Sequence, residues 1–449
     1  MLPLIMSTSG TRGIIGENLF PEVAVNISQA FGAYVKSGGG STIIVGGDTR
    51  VSYDMIKNAV VSGLIAVGIN VIDIGQVPTP TVQHLIRYHK ADGGIVITAS
   101  HNPIMWNGIK LMSKSASFLN QTEHDEFKKF LDDKSKVKCV SFDQLGKITY
   151  NNNALEIHID NVLSNLDITP LKNSNLKVLI DPNNGTGALV DPLLFEKLGV
   201  QYEMINSVPN GIFTHNPEPT KENVKSTIEY MQKRGFDIGF VQDADADRLV
   251  ILDENGTFIG EDYSFAFCVD YILSKINTPD KKVVVNLSTS MVIEHVAKKY
   301  QAEVTYTKIG EPNVTAKLRE LNADVGGEGN GGVIYPKIGW GRDSLVGMVV
   351  ALLYLAETKK TVSGIIQTYP KYLMDRSKIE VGSRDEINQL IEKARSIFQG
   401  AAVNDIDGLK FTFDDAWLHI RSSNTEPIVR IFIEASSEAR IKELLAKFN

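Results

Sequence analysis

One supersecondary unit occurs three times in this 449-residue chain, and it restricts the fold more than any single motif does. Ser41-Thr42-Ile43-Ile44-Val45-Gly46-Gly47-Asp48 is a β-branched apolar run closed by a Gly/Asp turn, followed by helical periodicity over 53–67 and a second strand pattern at 70–74. The same order returns at Lys177-Val178-Leu179-Ile180-Asp181, with a helix through Lys197 and a strand at 201–205. It returns again at Lys282-Val283-Val284-Val285-Asn286, with a helix ending near Lys299 and a strand at 303–307. The spacing, above a hundred residues, is far longer than the roughly 20–50 residues of a stacked solenoid, so three separate α/β domains are expected.

After Tyr369-Pro370 the pattern changes. A strand from Ser377, a charged helix over 384–398, alternating strands at 409–413 and 416–420 and a terminal helix from Ser437 predict a fourth, α+β domain. Polar Asn151-Asn152-Asn153 and the turn at Glu254-Asn255-Gly256 mark the first two divisions, giving 1–153, 154–255, 256–369 and 370–449.

The net charge of −7 argues against a nucleic-acid or anionic-membrane binder, so any anionic ligand must be held by local basic residues. Cys139 and Cys268 form no paired metal spacing and are expected as separate reduced thiols. The N-terminus lacks the basic leader of an export signal, and the longest apolar run, 346–356, is too short to span a bilayer. The expected compartment is the cytoplasm.

Four stretches carry chemistry. Gly93-Gly94-Ile95-Val96-Ile97 ends at Thr98-Ala99-Ser100-His101-Asn102-Pro103, which places the Ser100 hydroxyl at a strand's carboxyl end, where open α/β sheets collect ligands. Taken alone, the hexapeptide better suits a serine capping an Asn-Pro turn. Asp243-Ala244-Asp245-Ala246-Asp247-Arg248 sets three carboxylates at alternate positions, and an extended loop would present them on one side as oxygen ligands for magnesium. A calcium loop fits poorly, because Arg248 stands where that loop needs glycine. Gly326-Gly327-Glu328-Gly329-Asn330-Gly331-Gly332 lacks the signature of a nucleotide loop, but its glycines admit a ligand to the backbone, and Glu328 and Asn330 supply acceptors and donors for sugar hydroxyls. Arg421-Ser422-Ser423-Asn424-Thr425-Glu426-Pro427, with Arg430 in the next strand, suits a phosphate cradle or an ordinary hydrophilic hairpin. Thr8-Ser9-Gly10-Thr11-Arg12-Gly13 and Lys308 offer further fixed positive charge.

Together, in this order along nearly the whole chain, these stretches resemble the α-D-phosphohexomutases, the family of phosphoglucomutase, phosphomannomutase and phosphoglucosamine mutase. The resemblance implies four domains around a central cleft, the first three of similar mixed α/β build. It implies that Ser100 carries a phosphoryl group and, with Asp243, Asp245 and Asp247, holds Mg2+. Arg12, His101, Lys110, Arg248 and Lys308 would line the reaction centre. Glu328 and Asn330 would recognise the sugar, and Arg421, Ser423, Asn424, Thr425 and Arg430 would grip the non-reacting phosphate. A hexose 1,6-bisphosphate would charge Ser100, and the protein would act on a small hexose phosphate as a monomer or homodimer.

The chain departs from the pattern twice. Some relatives carry histidine where this chain has Gly332, which leaves proton transfer unassigned there, with Lys308 or Arg12 as substitutes. Many have glycine in place of Asn424. The Gly-Glu-Gly-Asn-Gly-Gly form of the sugar loop resembles prokaryotic phosphoglucosamine mutases, so conversion of glucosamine 6-phosphate to glucosamine 1-phosphate is expected. Mannose or glucose phosphate is the alternative substrate. A metal-dependent sugar phosphatase and a non-catalytic sugar-phosphate sensor are the more distant readings.

Overall fold

The computed structural model describes residues 4–380, 384–422 and 428–448. The three repeated units fold to one strand order. In the first, Thr42–Gly47 lies between Asn70–Gln76 and Gly93–Ile97, all parallel, and Trp106–Ser113 adds on antiparallel. The second repeats this with Lys177–Asp181 between Gln201–Met204 and Ile238–Gln242, then antiparallel Leu249–Leu252. The third repeats it with Lys282–Asn286 between Glu303–Thr307 and Val325–Glu328, then antiparallel Gly332–Ile334. Central runs such as Ile43-Ile44-Val45 and Val283-Val284-Val285 are completely buried, as parallel strands covered on both faces must be.

The first sheet grows to seven strands by adding Ile5–Ser7 and Gly10–Ile14 beyond Trp106–Ser113 and Ile148–Tyr150 at the opposite edge. The fourth sheet is wholly antiparallel, in the order Leu373–Glu380, Ile428–Ala435, Ala416–Ser422, Leu409–Thr412, Ala402–Asn404. The helices Arg384–Ile397 and Glu438–Phe448 supply its core partners, including Ala394 and Leu444. Its first strand starts at Leu373, earlier than the expected Ser377, because pairing with Ile428–Ala435 extends through Leu373 opposite Ala435.

The apolar run at 346–356 lies inside the helix Ser344–Thr358, whose residues from Ser344 through Ala356 are all buried. A helix apolar all round belongs in a protein core. Here that core is continuous through the second and third sheets, whereas the first and fourth have their own clusters. No helix among the described residues is long and apolar enough to cross a membrane. Both cysteines are free, Cys139 exposed and Cys268 buried.

Polar groups join the units. His84 of the helix Thr79–His89 stacks on His158 of the helix Ala154–Ser164, with ring centroids 4.3 Å apart. His158 Nε2 lies 2.8 Å from Asp343 Oδ2, while Asp343 Oδ1 accepts the Leu345 amide and caps the buried helix. Between the third and fourth units, His419 Nδ1 meets Ser288 Oγ at 2.8 Å, and Glu434 accepts the Met291 amide and the Trp417 indole N–H.

Burial, reinforced by neighbouring His158, pushes the His84 imidazole down to about 4 despite Asp343. An unfolded histidine titrates near 6.5, so between these values the unfolded chain binds more protons at this position and His84 subtracts stability as pH falls. The stability advantage of the wild type over His84→Gln, measured from thermal midpoints, is therefore expected to shrink from pH 7 to pH 5. A pH-independent difference would mean that His84 is not held neutral by burial.

Candidate active site

The buried strand Gly93–Ile97 runs into Thr98, Ala99 and Ser100, all essentially inaccessible. Ser100 has φ of 52°, a left-handed conformation that costs a non-glycine residue on the order of 1–3 kcal/mol unless its surroundings impose it. Two neighbours impose it. The Ser100 amide donates to Thr98 Oγ1 at 2.8 Å, and the guanidinium of Arg50 binds the Ser100 carbonyl at 2.7 Å. Arg50, 1% exposed, also donates to the carbonyls of Asn102, Pro103 and Trp106 and to Asp48 Oδ2, which accepts the Thr98 hydroxyl as well. Asp48 and Arg50 are therefore the clamp of the serine turn. The sequence reading took Gly46-Gly47-Asp48 only as a turn, although an acid and an arginine two residues apart at a strand's carboxyl end were the available signal.

The turn aims the Ser100 hydroxyl at Asp243 Oδ2, 3.1 Å away, with His101 Nδ1 at 3.3 Å. Burial and the charges of Arg248 and Arg12 push the His101 imidazole well below its usual range, so it stays neutral beside the serine. Arg12, on the strand Gly10–Ile14, reaches Asn102 Oδ1 at 2.9 Å. Its strand crosses Gly108, where an added Cβ would come within 2.7 Å of the Thr11 carbonyl and 2.8 Å of the Thr98 carbonyl.

The aspartate loop is not the extended stretch expected from alternate spacing. It turns sharply, with Ala246 left-handed at φ 51°, and the turn itself brings the three carboxylates together, one oxygen of each within 4.8 Å of the others. Each is tied to protein donors. Asp243 receives Ser100 and the Arg248 amide. Asp245 Oδ2 receives Lys110 at 2.8 Å and the Thr79 hydroxyl at 2.6 Å. Asp247 Oδ2 receives Arg342 at 2.6 Å. Asp245 Oδ1 and Asp247 Oδ1 remain buried without a hydrogen-bond partner. Orphaned carboxylate oxygens are costly, and a hard divalent cation such as Mg2+ fits this all-oxygen set.

Burial alone would raise the Asp245 carboxyl, but Lys110, Thr79 and Arg342 outweigh it and hold it well below the carboxylate range. Asp243 is raised by burial and by the charges of Asp247 and Asp245, a repulsion that a cation would remove. Arg248 Nε approaches Asp243 Oδ2 at 3.8 Å and Asp247 Oδ1 at 3.9 Å. The other cluster with metal-ligand composition, His84, His158 and Asp343, has converging atoms already engaged at the junction described above.

The Gly-rich stretch is a β-hairpin rather than a linker, with Val325–Glu328 paired to Gly332–Ile334. Glu328 Oε1 accepts from Asn286 Nδ2 at 2.9 Å and the Gly310 amide at 3.1 Å, and Oε2 from Arg342 at 3.1 Å and Asn330 Nδ2 at 3.4 Å. Asn330 Oδ1 is buried without a partner, an acceptor open to a ligand hydroxyl or amine. Arg342, missed in the sequence, thus links the aspartate loop to the hairpin and also binds Glu311 at 2.9 Å. Asp343 caps the buried helix, and nothing local in the sequence indicates what the preceding arginine reaches.

Lys308 is exposed, in the loop whose Gly310 amide holds Glu328 and whose Ile309 amide donates to Asp407 Oδ2. Arg421 and Arg430 lie directly opposite each other on neighbouring antiparallel strands. Like charges in that register repel, which favours an anion between them. Arg421 Nε is 3.9 Å from Asp407 Oδ1. The three small donors expected with them, Ser423, Asn424 and Thr425, lie outside the described residues.

Four family models match this chain in succession: Phosphoglucomutase/phosphomannomutase alpha/beta/alpha domains I at 3–138, II at 156–256 and III at 260–372, and the C-terminal domain at 380–449. Among curated relatives, a phosphoglucomutase/phosphomannomutase of Thermococcus kodakarensis is 38% identical, with 98% of this chain and 96% of the relative covered. A probable phosphoglucosamine mutase of Methanopyrus kandleri is 34% identical over the same shares, 98% and 96%. A phosphoglucosamine/phosphogalactosamine mutase of Sulfurisphaera tokodaii is 32% identical, covering 97% of this chain and 96% of its own length. The crystal structure of a Phosphoglucomutase/phosphomannomutase family protein from Burkholderia thailandensis superposes with a TM-score of 0.85 at 26% identity, over 99% of this chain and 97% of that one.

The clamp of the serine turn yields a stability test. Arg50→Met strands a buried carboxylate and four carbonyls, and a loss of about 3–5 kcal/mol is expected from chemical denaturation. Arg50→Lys should fall in the same direction, because one ammonium with three donors cannot serve five acceptors. Wild-type stability in both variants would refute the clamp.

Proposed function

The chain belongs to the phosphoglucomutase/phosphomannomutase family and is a phosphohexomutase, an isomerase working by phosphoryl transfer within a hexose phosphate; from this we propose that Ser100 is its phosphoryl carrier and glucosamine 6-phosphate its preferred substrate. The observation that carries the serine assignment is the contact between the Ser100 hydroxyl and an aspartate triad with two orphaned oxygens. The substrate assignment rests on the sugar hairpin and on relatives named for phosphoglucosamine, with glucose and mannose phosphates as the alternatives.

Asp243, Asp245 and Asp247, with Ser100, would hold Mg2+, which supplies charge neutralisation for the transferring phosphoryl group. The remaining work falls to side chains. Lys110 and Thr79 fix Asp245, Arg342 fixes Asp247, and Arg12 and Arg248 present guanidinium groups to the phosphoryl oxygens. Phosphoserine gives its phosphoryl group to O1 of the 6-phosphosugar: the bond to Ser100 Oγ breaks, a bond to O1 forms, and the O1 proton passes through a base to the released Ser100 oxygen. Neutral His101 and exposed Lys308 are the candidates for that base, since Arg12 serves as a fixed cation. The bisphosphate then turns over, and Ser100 recovers a phosphoryl group from O6. Glu328 and Asn330 hold the sugar in both orientations, while Arg421 and Arg430, with Ser423, Asn424 and Thr425, grip the phosphate that is not reacting.

A phosphatase would need no such distal grip, and the facing arginines therefore favour the mutase reading over hydrolysis. We divide the chain into functional domains at 153/154, 255/256 and 369/370, carrying the phosphoserine, metal, sugar and phosphate loops in turn. The protein is taken as a cytoplasmic monomer or homodimer that needs a hexose 1,6-bisphosphate to charge Ser100.

With Mg2+ and a trace of hexose 1,6-bisphosphate, purified protein should convert glucosamine 6-phosphate to the 1-phosphate faster than it converts mannose or glucose 6-phosphate, without releasing inorganic phosphate. A higher kcat/KM for either competitor would reassign the substrate. Incubation with the bisphosphate should add one phosphoryl mass to the wild type and none to Ser100→Ala, and that variant should lose at least about 1,000-fold in rate, as expected for a covalent carrier. Chelation of the divalent cation should abolish turnover and its return restore it; turnover indifferent to chelation would remove the metal from the aspartate loop.

A further inference from the structure

Arg342 does more than fix Asp247. It is 7% exposed, and its three nitrogens each take a different carboxylate: Nη2 binds Asp247 at 2.6 Å, Nε binds Glu311 at 2.9 Å and Nη1 binds Glu328 at 3.1 Å. Asp247 belongs to the metal loop of the second unit and Glu328 to the sugar hairpin of the third. Glu311, at the start of the helix Glu311–Leu321, is in turn bonded to Gln83 of the first unit. One planar guanidinium therefore fixes the relative placement of the two loops, through short bonds shielded from water.

A second observation, independent of the hydrogen bonds, concerns Gly332. Its backbone is not among the left-handed positions, so conformation does not demand glycine there. Space does. A Cβ at 332 would lie 2.2 Å from Arg342 Cδ, 2.8 Å from its Cγ and 3.0 Å from its Cβ, a collision with the stem of the side chain rather than its flexible end. Gly332 is the channel through which Arg342 reaches Asp247 and Glu328, and any larger residue there is incompatible with the arginine in this place.

We propose that Arg342 is a positioning residue that sets the metal loop and the sugar hairpin in one register, so that cation affinity and sugar affinity depend on the same side chain, with Gly332 as its obligatory partner. The proposal rests on the reading above, in which the aspartates hold the metal and Glu328 the sugar. Asp247 offers one oxygen to Arg342 and keeps the other, orphaned, for the cation. Glu328 is oriented by Asn286 and Gly310 on one oxygen and by Arg342 on the other. Moving the guanidinium displaces both carboxylates at once.

Two substitutions test this without changing the formal charge. Arg342→Lys keeps the cation but cannot span three carboxylates. Gly332→Ala keeps the arginine but pushes it from its place. Each should raise the KM for hexose phosphate in steady-state assays and the Mg2+ dissociation constant in calorimetric titrations of the protein without substrate, both by at least about fivefold. The double variant should be no more than about twofold worse than the poorer single one, because residues acting as one unit are not additive. Gly332→Ala is the milder change should Arg342→Lys fold poorly, and thermal midpoints above the assay temperature qualify each protein. Wild-type values in either variant, movement of only one of the two constants, or effects that multiply in the double variant would overturn the proposal. A wild-type enzyme with no Mg2+-dependent turnover would instead overturn the underlying reading of the site.

Discussion

The structure depends on how three buried carboxylates at the end of one strand are supplied with hydrogen-bond donors. Asp243, Asp245 and Asp247 all belong to the loop after Ile238–Gln242, and none is accessible to solvent. A buried carboxylate without donors would protonate or destabilise the fold. Apart from the Arg248 amide of the same loop, the donors come from elsewhere: Ser100, Lys110 and Thr79 from the first unit, and Arg342 from the third. Satisfying the loop therefore joins three sheets, and the same bonds leave two buried oxygens, Asp245 Oδ1 and Asp247 Oδ1, without a hydrogen-bond partner.

Around this loop the chain accepts local strain where it needs a group aimed. Ser100 and Ala246 both take left-handed backbone conformations that side-chain-bearing residues avoid. Ser100 is held by the Arg50 clamp, and Ala246 by its carbonyl, which accepts the Ser344 hydroxyl at 2.6 Å. That serine opens the buried helix that runs through the core shared by the second and third sheets. The rigidity of an apolar core is thereby carried to the backbone of the metal loop, and such preorganisation is what phosphoryl transfer demands of a protein.

Much of the fold was legible before any coordinates. Strand runs such as Val283-Val284-Val285 and the helices between them repeat with a spacing that allows few topologies, because parallel strands need long crossovers and those crossovers have one hand. The candidate site groups were proposed for a similar reason: Ser100, the aspartates, Glu328 and the arginine pair sit in short stretches that, taken together and in order, form one family pattern. Asp48, Arg50, Glu311 and Arg342 were not legible. Apart from the short Asp48–Arg50 pair itself, their partners lie tens to hundreds of residues away, and a lone arginine in a loop has no local signature separating a buried clamp from a solvated charge.

The amino-acid sequence by itself determined the number and kind of folding units, the family and the candidate site groups, since these follow from local periodicity and from short motifs. The tertiary structure alone decided which of those groups face one another and what holds them there. The alternate spacing of the aspartates suggested an extended loop, whereas a sharp turn brings their oxygens together. Gly332 looked like a missing side chain, whereas it is the space that Arg342 fills. Both outcomes come from donors and volumes supplied by distant segments, and a buried charge is stabilised by whatever the fold places within hydrogen-bond reach, which no local pattern encodes.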